Sequence, residues 1–92
     1  MAILRFTERF DKSLKELDPL SQKAVAKAVA KALRLLLQNP RHPSLRTRKM
    51  EGFTNVFEAS ANMDIRLTFH YVKPDTIVLR TCGHHDSTLN HP

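Results

Sequence analysis

From Ile65 to Tyr71 the chain alternates apolar and polar residues without a break: Ile-Arg-Leu-Thr-Phe-His-Tyr. A period of two marks a strand buried on one side and does not fit an amphipathic helix. Ile65, Leu67, Phe69 and Tyr71 must meet an apolar layer, while Arg66, Thr68 and His70 face solvent or a ligand. One strand cannot satisfy its own backbone, so it needs neighbours. Val56-Phe57 and Ile77-Val78-Leu79 supply them as β-rich runs. Ala61-Asn62-Met63-Asp64 and Lys73-Pro74-Asp75 have the composition of hairpin connections. Three consecutive antiparallel strands result. By parity Phe69 and Tyr71 belong to the core rather than to a stacking platform. Arg80, on the last strand, joins the polar face in one register and leaves it in the other.

The apolar layer comes from the N-terminal half. Ile3 to Phe6 reads as a short strand, and Thr7 caps the segment after it. Phe10, Leu14 and Leu17 recur at helical spacing with charges between them. Asp18-Pro19 starts a second helix, with Asp as cap and Pro at the first helical position. That helix extends from about Pro19 to Gln38, where Asn39-Pro40 stops it. Val25, Val29, Leu33 and Leu36 form its buried stripe, and Lys23, Lys27 and Lys31 line another face. Two helices joined by a tight turn make an antiparallel hairpin. The segment from Pro40 to Gly52 is a loop with at most a short strand within Leu45 to Met50. The order β-α-α-β-β-β in a single domain over residues 1–92 predicts an α+β fold: a small antiparallel sheet with an N-terminal helical hairpin packed on one face.

Charge narrows the partners. The 92 residues carry 15 Lys and Arg against 9 Asp and Glu, a net charge of +6. No acidic residue lies between Asp18 and Glu51, a stretch with eight basic ones: Lys23, Lys27, Lys31, Arg34, Arg41, Arg46, Arg48 and Lys49. A solvated face normally mixes signs, so a one-sign block favours nucleic acid or an acidic protein. The first ten residues, MAILRFTERF, hold charges and no uninterrupted apolar core, so they do not read as a signal peptide. Nothing approaches the ~20 apolar residues of a membrane span. The single Cys82 makes neither an internal disulfide nor a Cys-only metal cage. The expected location is the cytoplasm, with no membrane partner.

Three groups can carry chemistry: the basic loop Arg46, Arg48, Lys49; Arg66, on a strand face otherwise free of acids; and Gly83-His84-His85-Asp86, where Gly83 lets the backbone turn sharply. Cleaving RNA through its own 2′-hydroxyl requires a base for that proton, an acid for the leaving 5′ oxygen, and positive charge at the phosphate. Arginine forks suit the last task, and imidazole suits either proton task. That route calls for no metal or other cofactor. Simpler readings exist beside it. Arg66 can pair with Glu58 on a neighbouring strand. His84, His85 and Asp86 can hold a metal with Cys82, His70 or His42, although no pair has zinc-site spacing. Cys82 fits a small buried residue better than a nucleophile.

The run VFEASANMDIRLTFHYVKPDTIVLRTCGHHD, preceded by a basic segment and a helical hairpin, resembles the RelE/ParE superfamily of type II toxin–antitoxin toxins, in RelE/YafQ-like form. The likeness covers nearly the whole chain. It rests on the early strand with two helices after it, the stretch RKMEGFTNVFEA, the Arg66-Leu67 strand, and the strand ending in GHHD. It implies a RelE-like fold and a ribosome-dependent, metal-independent endoribonuclease (an mRNA interferase). Such an enzyme cleaves mRNA, inhibits translation and is neutralised by a cognate antitoxin. The implied partners are that antitoxin, the ribosome and mRNA. The alternative is a ParE-like toxin that inhibits DNA gyrase by binding alone. The resemblance also implies roles: Arg66 on the scissile phosphate; Arg46, Arg48 and Lys49 as the RNA-holding loop, Lys49 also a candidate base; His85, or else His84, as the acid; Asp86 as its orienting partner. Arg80 and His70 extend the RNA-binding face, and His70 and Asp64 lie near further His and Asp positions of YafQ-type relatives. The tail from Ser87 to Pro92 departs from the pattern, because it has no aromatic to stack on a base and Leu89 cannot replace one. The GHHD ending and an acid-free basic face favour RNA cleavage over gyrase binding.

Overall fold

A computed structural model describes residues 2–17, 22–84 and 92. Strand β1 (Ile3–Phe6) leads into α1 (Glu8–Lys15) and α2 (Gln22–Gln38). A short 3-10 turn (Pro43–Leu45) follows, then β2 (Arg48–Lys49), β3 (Phe57–Ser60), β4 (Ile65–Val72) and β5 (Thr76–His84). The strands form one sheet in the order β1-β5-β4-β3-β2. From β5 to β2 all neighbours are antiparallel. At the other edge β1 lies parallel to β5, with Ile3 opposite Thr76 and Phe6 opposite Leu79. Asp18 and Pro19, the expected start of the second helix, lie outside the described residues.

Both helices contribute to one core. Phe10, Leu17, Val25, Val29, Ala32 and Leu36 pack with Ala59, Ile65, Leu67, Phe69, Ile77, Leu79 and Cys82. Each large side chain that is fully buried contributes about 1.5–3 kcal/mol. The stripe of α2 is centred on Ala32, with Leu33 only partly buried at its margin. Lys23, Lys27 and Lys31 are exposed on the outer side.

The start of α1 is fixed by Thr7. Its hydroxyl accepts from the Phe10 amide at 3.0 Å and donates to the Leu79 carbonyl at 2.8 Å. Farther along α1, the Ser13 hydroxyl accepts from the Cys82 amide at 3.0 Å. Pairing with β1 ends at Leu79, so the Ser13 hydroxyl satisfies a β5 backbone group beyond the reach of that strand.

A bulge breaks β5. Thr68 faces Thr81, but Phe69 faces Leu79, which leaves Arg80 as the extra residue. Leu79 and Cys82, three positions apart, therefore both reach the core, and Arg80 joins Thr81 on the opposite face. Gly83 does not turn the chain as expected. It stays within β5, opposite Arg66, and the strand continues to His84.

Candidate functional site

The connection from β3 to β4 places the first arginine. Asn62 Oδ1 accepts from the amides of Asp64 (2.8 Å) and Ile65 (2.7 Å), which closes the turn. Arg66 reaches back over that turn, and its Nη1 donates to the carbonyls of Asn62 (2.7 Å), Met63 (3.0 Å) and Ile65 (3.3 Å). The second arginine, Arg46, ends the 3-10 turn in a left-handed conformation, φ 48° and ψ 43°. His42 opens the same turn by accepting the Ser44 amide on Nδ1 at 3.1 Å. Arg46 and Arg66 line one hollow of about 210 Å³, together with Ser44, Ser60, Asn62 and Met63. Among the described residues its lining contains two guanidinium groups and no carboxylate.

A second hollow of about 220 Å³ adjoins it at Asn62 and contains Asp64 and His84 above Leu17, Ala24, Val25 and Ile65. In register His84 faces Ile65, a core position, whereas Arg66 faces Gly83. Strand alternation therefore puts His84 and Arg66 on opposite sides of the sheet, in neighbouring hollows rather than a shared one. His85 and Asp86 lie outside the described residues.

The polar face differs from the expected acid-free surface. Glu58 sits on it, opposite both Arg48 and Thr68, with only 3% of its surface exposed. A carboxylate so enclosed needs a partner, and Arg48 Nε supplies one at 3.3 Å. Glu58 thus pairs with Arg48 rather than with Arg66, and Arg48 is a strand residue that gives its Nε to this acid while the side chain stays exposed. Beside it, the Thr68 and Thr81 hydroxyls are hydrogen-bonded to each other. Beyond them Arg80 Nη1 meets His70 Nδ1 at 3.1 Å, and Arg80 Nε donates to the Pro92 oxygen at 3.1 Å. A guanidinium only donates, so Nδ1 is the acceptor and the His70 proton sits on Nε2. Burial first, then the charges of Arg80 and Arg5, hold the His70 pKa below its ordinary value. The bulge thus brings Arg80 and His70 together, but the threonine pair separates them from Arg66.

Lys49 faces Phe57 in register and lines a third hollow, not the one with Arg66, which removes the base role foreseen for it there. This hollow of about 520 Å³ is bounded by Arg41, Thr47, Arg48, Lys49, Phe57 and Tyr71. Phe69 is buried as expected, but Tyr71 is 38% exposed, so only the first of the two is core. Ser60 carries no signal in the sequence, Asn62 reads there only as part of a hairpin connection, and Arg41 only as one of the eight basic residues. The Asn-x-Asp spacing of a closing turn was the one available signal. Burial pushes the Cys82 thiol up to about 12, which disqualifies it as a nucleophile. Among the described residues no group of three or more His, Cys, Asp and Glu side chains is placed to hold a metal ion. No described helix is long and apolar enough to cross a membrane.

No family model and no curated protein sequence matches the chain. Solved structures do. YafQ from E. coli strain BL21(DE3) superposes with a TM-score of 0.72 at 15% identity, over 96% of this chain and 98% of that one. A metal-bound toxin from Helicobacter pylori gives 0.71 at 22% identity, over 95% and 98%. The RelBE2 toxin–antitoxin complex from Mycobacterium tuberculosis gives 0.66 at 22% identity, over 91% and 98%. The chain therefore has the RelE-like fold that these proteins share.

Proposed function

We propose that this protein is the toxin of a toxin–antitoxin module and acts as an endoribonuclease on mRNA at the ribosome. The observation that supports this reading best is the hollow that Arg46 and Arg66 both line, with no acid among its described residues. Two guanidinium forks at one site suit a phosphate that gathers negative charge as it becomes pentavalent. The 2′-oxygen of the preceding ribose loses its proton and attacks phosphorus; the P–O5′ bond breaks, leaving a 2′,3′-cyclic phosphate and a protonated 5′-hydroxyl. Proton carriers for the two transfers are His85 and Asp86 of the GHHD ending, since His84 lies in the adjoining hollow on the other side of the sheet. Arg48 gives its Nε to Glu58, and Arg80 and His70 form a pair beyond the buried threonines. A cognate antitoxin as partner follows from the likeness to RelBE2, which was solved as a toxin–antitoxin complex.

Induction in growing cells followed by mapping of mRNA ends tests this. Wild type should arrest growth and create new 5′-hydroxyl ends. Arg66→Ala and Arg46→Gly should lower the yield of ends roughly 10²-fold, the usual cost of one transition-state donor. Glycine at position 46 suits the left-handed backbone, so loss there reports the missing charge rather than misfolding. Growth arrest with relaxed plasmid DNA and no new ends would instead support gyrase inhibition.

A further inference from the structure

The third hollow plays no part in the steps above. It opens between β2, the start of β3 and the end of β4, about 10 Å along β3 from the Arg66 site if measured from Phe57 to Ser60. Its volume of about 520 Å³ falls in the range of small-ligand sites, roughly 300–1,000 Å³. The Arg46–Arg66 hollow, at about 210 Å³, has room for a phosphate but is below that range. The chemistry of the third hollow is mixed in a specific way. Arg41, Arg48 and Lys49 supply cations, and none of the described lining residues is acidic. Arg48 is committed to Glu58 through Nε, which leaves Arg41 and Lys49 as the principal charges.

Tyr71 is held in place as an aromatic wall. Its ring meets Phe57 edge-on at 5.2 Å between centroids, and Phe69 at 5.6 Å. Behind it Phe57 and Phe69 stack at 5.8 Å. A ring fixed by two others loses little freedom when something packs on it. Arg41 lines the same hollow as Tyr71, and its charge opposes the rise that burial gives the Tyr71 pKa.

We propose that this hollow is a nucleotide subsite, in which a base of single-stranded RNA stacks on Tyr71 and the adjoining phosphate is held by Arg41 and Lys49. Aromatic stacking with flanking cations is the general solution for single-stranded nucleic acid. An acidic peptide would use the cations but leave the aromatic wall without a partner. The subsite deepens the ribonuclease reading and rests on it for the identity of the polymer. It sits at the opposite end of β3 from the scissile phosphate, and so selects the nucleotide flanking the cut.

The chain has one tyrosine and no tryptophan, so its intrinsic emission reports on Tyr71 alone. Emission lifetime, which absorption by a nucleotide does not alter, can be followed while adenosine monophosphate, adenosine, inorganic phosphate or a glutamate-rich peptide is added to the whole protein. Adenosine monophosphate should shorten the lifetime to saturation, adenosine should act about tenfold more weakly, and phosphate alone should leave it unchanged. Arg41→Ala, at an exposed loop position, should weaken the nucleotide response about tenfold. Anisotropy of a labelled oligoribonucleotide supplies the complement: Tyr71→Phe should retain affinity and Tyr71→Ala lose about tenfold. A lifetime indifferent to the nucleotide, an unchanged response in Arg41→Ala, or a response to the peptide alone overturns the subsite. The two proposals separate cleanly. A tyrosine response without mRNA cleavage in cells sustains the subsite against the nuclease, and cleavage without a tyrosine response does the reverse.

Discussion

Replacing Thr68 with valine removes one hydroxyl from the middle of β4 at nearly constant shape. Thr68 has no exposed surface, its hydroxyl is bonded to that of Thr81, and Thr81 is itself only 6% exposed. Thr68→Val therefore strands the Thr81 hydroxyl where water scarcely reaches. The lost bond and the desolvated oxygen together cost about 1–3 kcal/mol. In Thr68→Val/Thr81→Val both hydroxyls are gone, and two β-branched apolar groups face each other across adjacent strands. That double variant should return close to wild type, so the cycle is strongly non-additive. Far-UV circular dichroism in urea measures this without tryptophan. With a slope of about 1 kcal/mol per M for a small domain, each single variant lowers the midpoint by about 1–3 M. Single costs that add in the double variant would refute the reasoning, because they would mean that each hydroxyl is hydrated rather than paired with the other.

Other expected outcomes follow from burial and charge. Leu36 has no exposed surface, so Leu36→Ala should cost about 2–5 kcal/mol, while Leu37→Ala beside it, 43% exposed, should cost well under half of that in the same titration. Cys82, with its thiol pushed up to about 12, should ignore a thiol reagent at pH 8 until urea unfolds the chain, and reactivity should appear at the unfolding midpoint; prompt native-state labelling would contradict its burial. The His70 pKa is lowered in the folded protein, so below about 6.5 the unfolded chain binds the proton first, and stability falls as pH drops from there through the folded pKa. His70→Gln keeps an acceptor for Arg80 and should flatten that part of a stability-against-pH curve; an identical slope would assign the effect to another group.

The sequence carried the helices and four of the strands because their periods are written in residue type. Ile65, Leu67 and Phe69 alternate into the core as their pattern demands. Tyr71 obeys the same parity and still emerges, since β4 outruns the helical cover at that end. The bulge at Arg80 left no trace in composition, because one inserted position changes register without changing residue type. Arg48 and Glu58 meet only through the pairing of β2 with β3, and the short strand read within Leu45 to Met50 reveals neither its partner nor its register in sequence. For that reason the basic loop looked uniformly open, and the division of its cations between two hollows and one buried acid became visible only in three dimensions. β1 was legible as a strand of four residues, but its parallel seat beside β5 was not.

Arg46 combines a left-handed backbone with a guanidinium at a hollow. The backbone is relieved by glycine or asparagine, at a gain of roughly 1–2 kcal/mol over a residue with an ordinary β-carbon. The hollow is served by a fork of positive charge, which neither of those residues carries. No genetically encoded side chain meets both demands. A saturation library at this codon should therefore divide into sturdy variants and anion-gripping variants with almost no members in common.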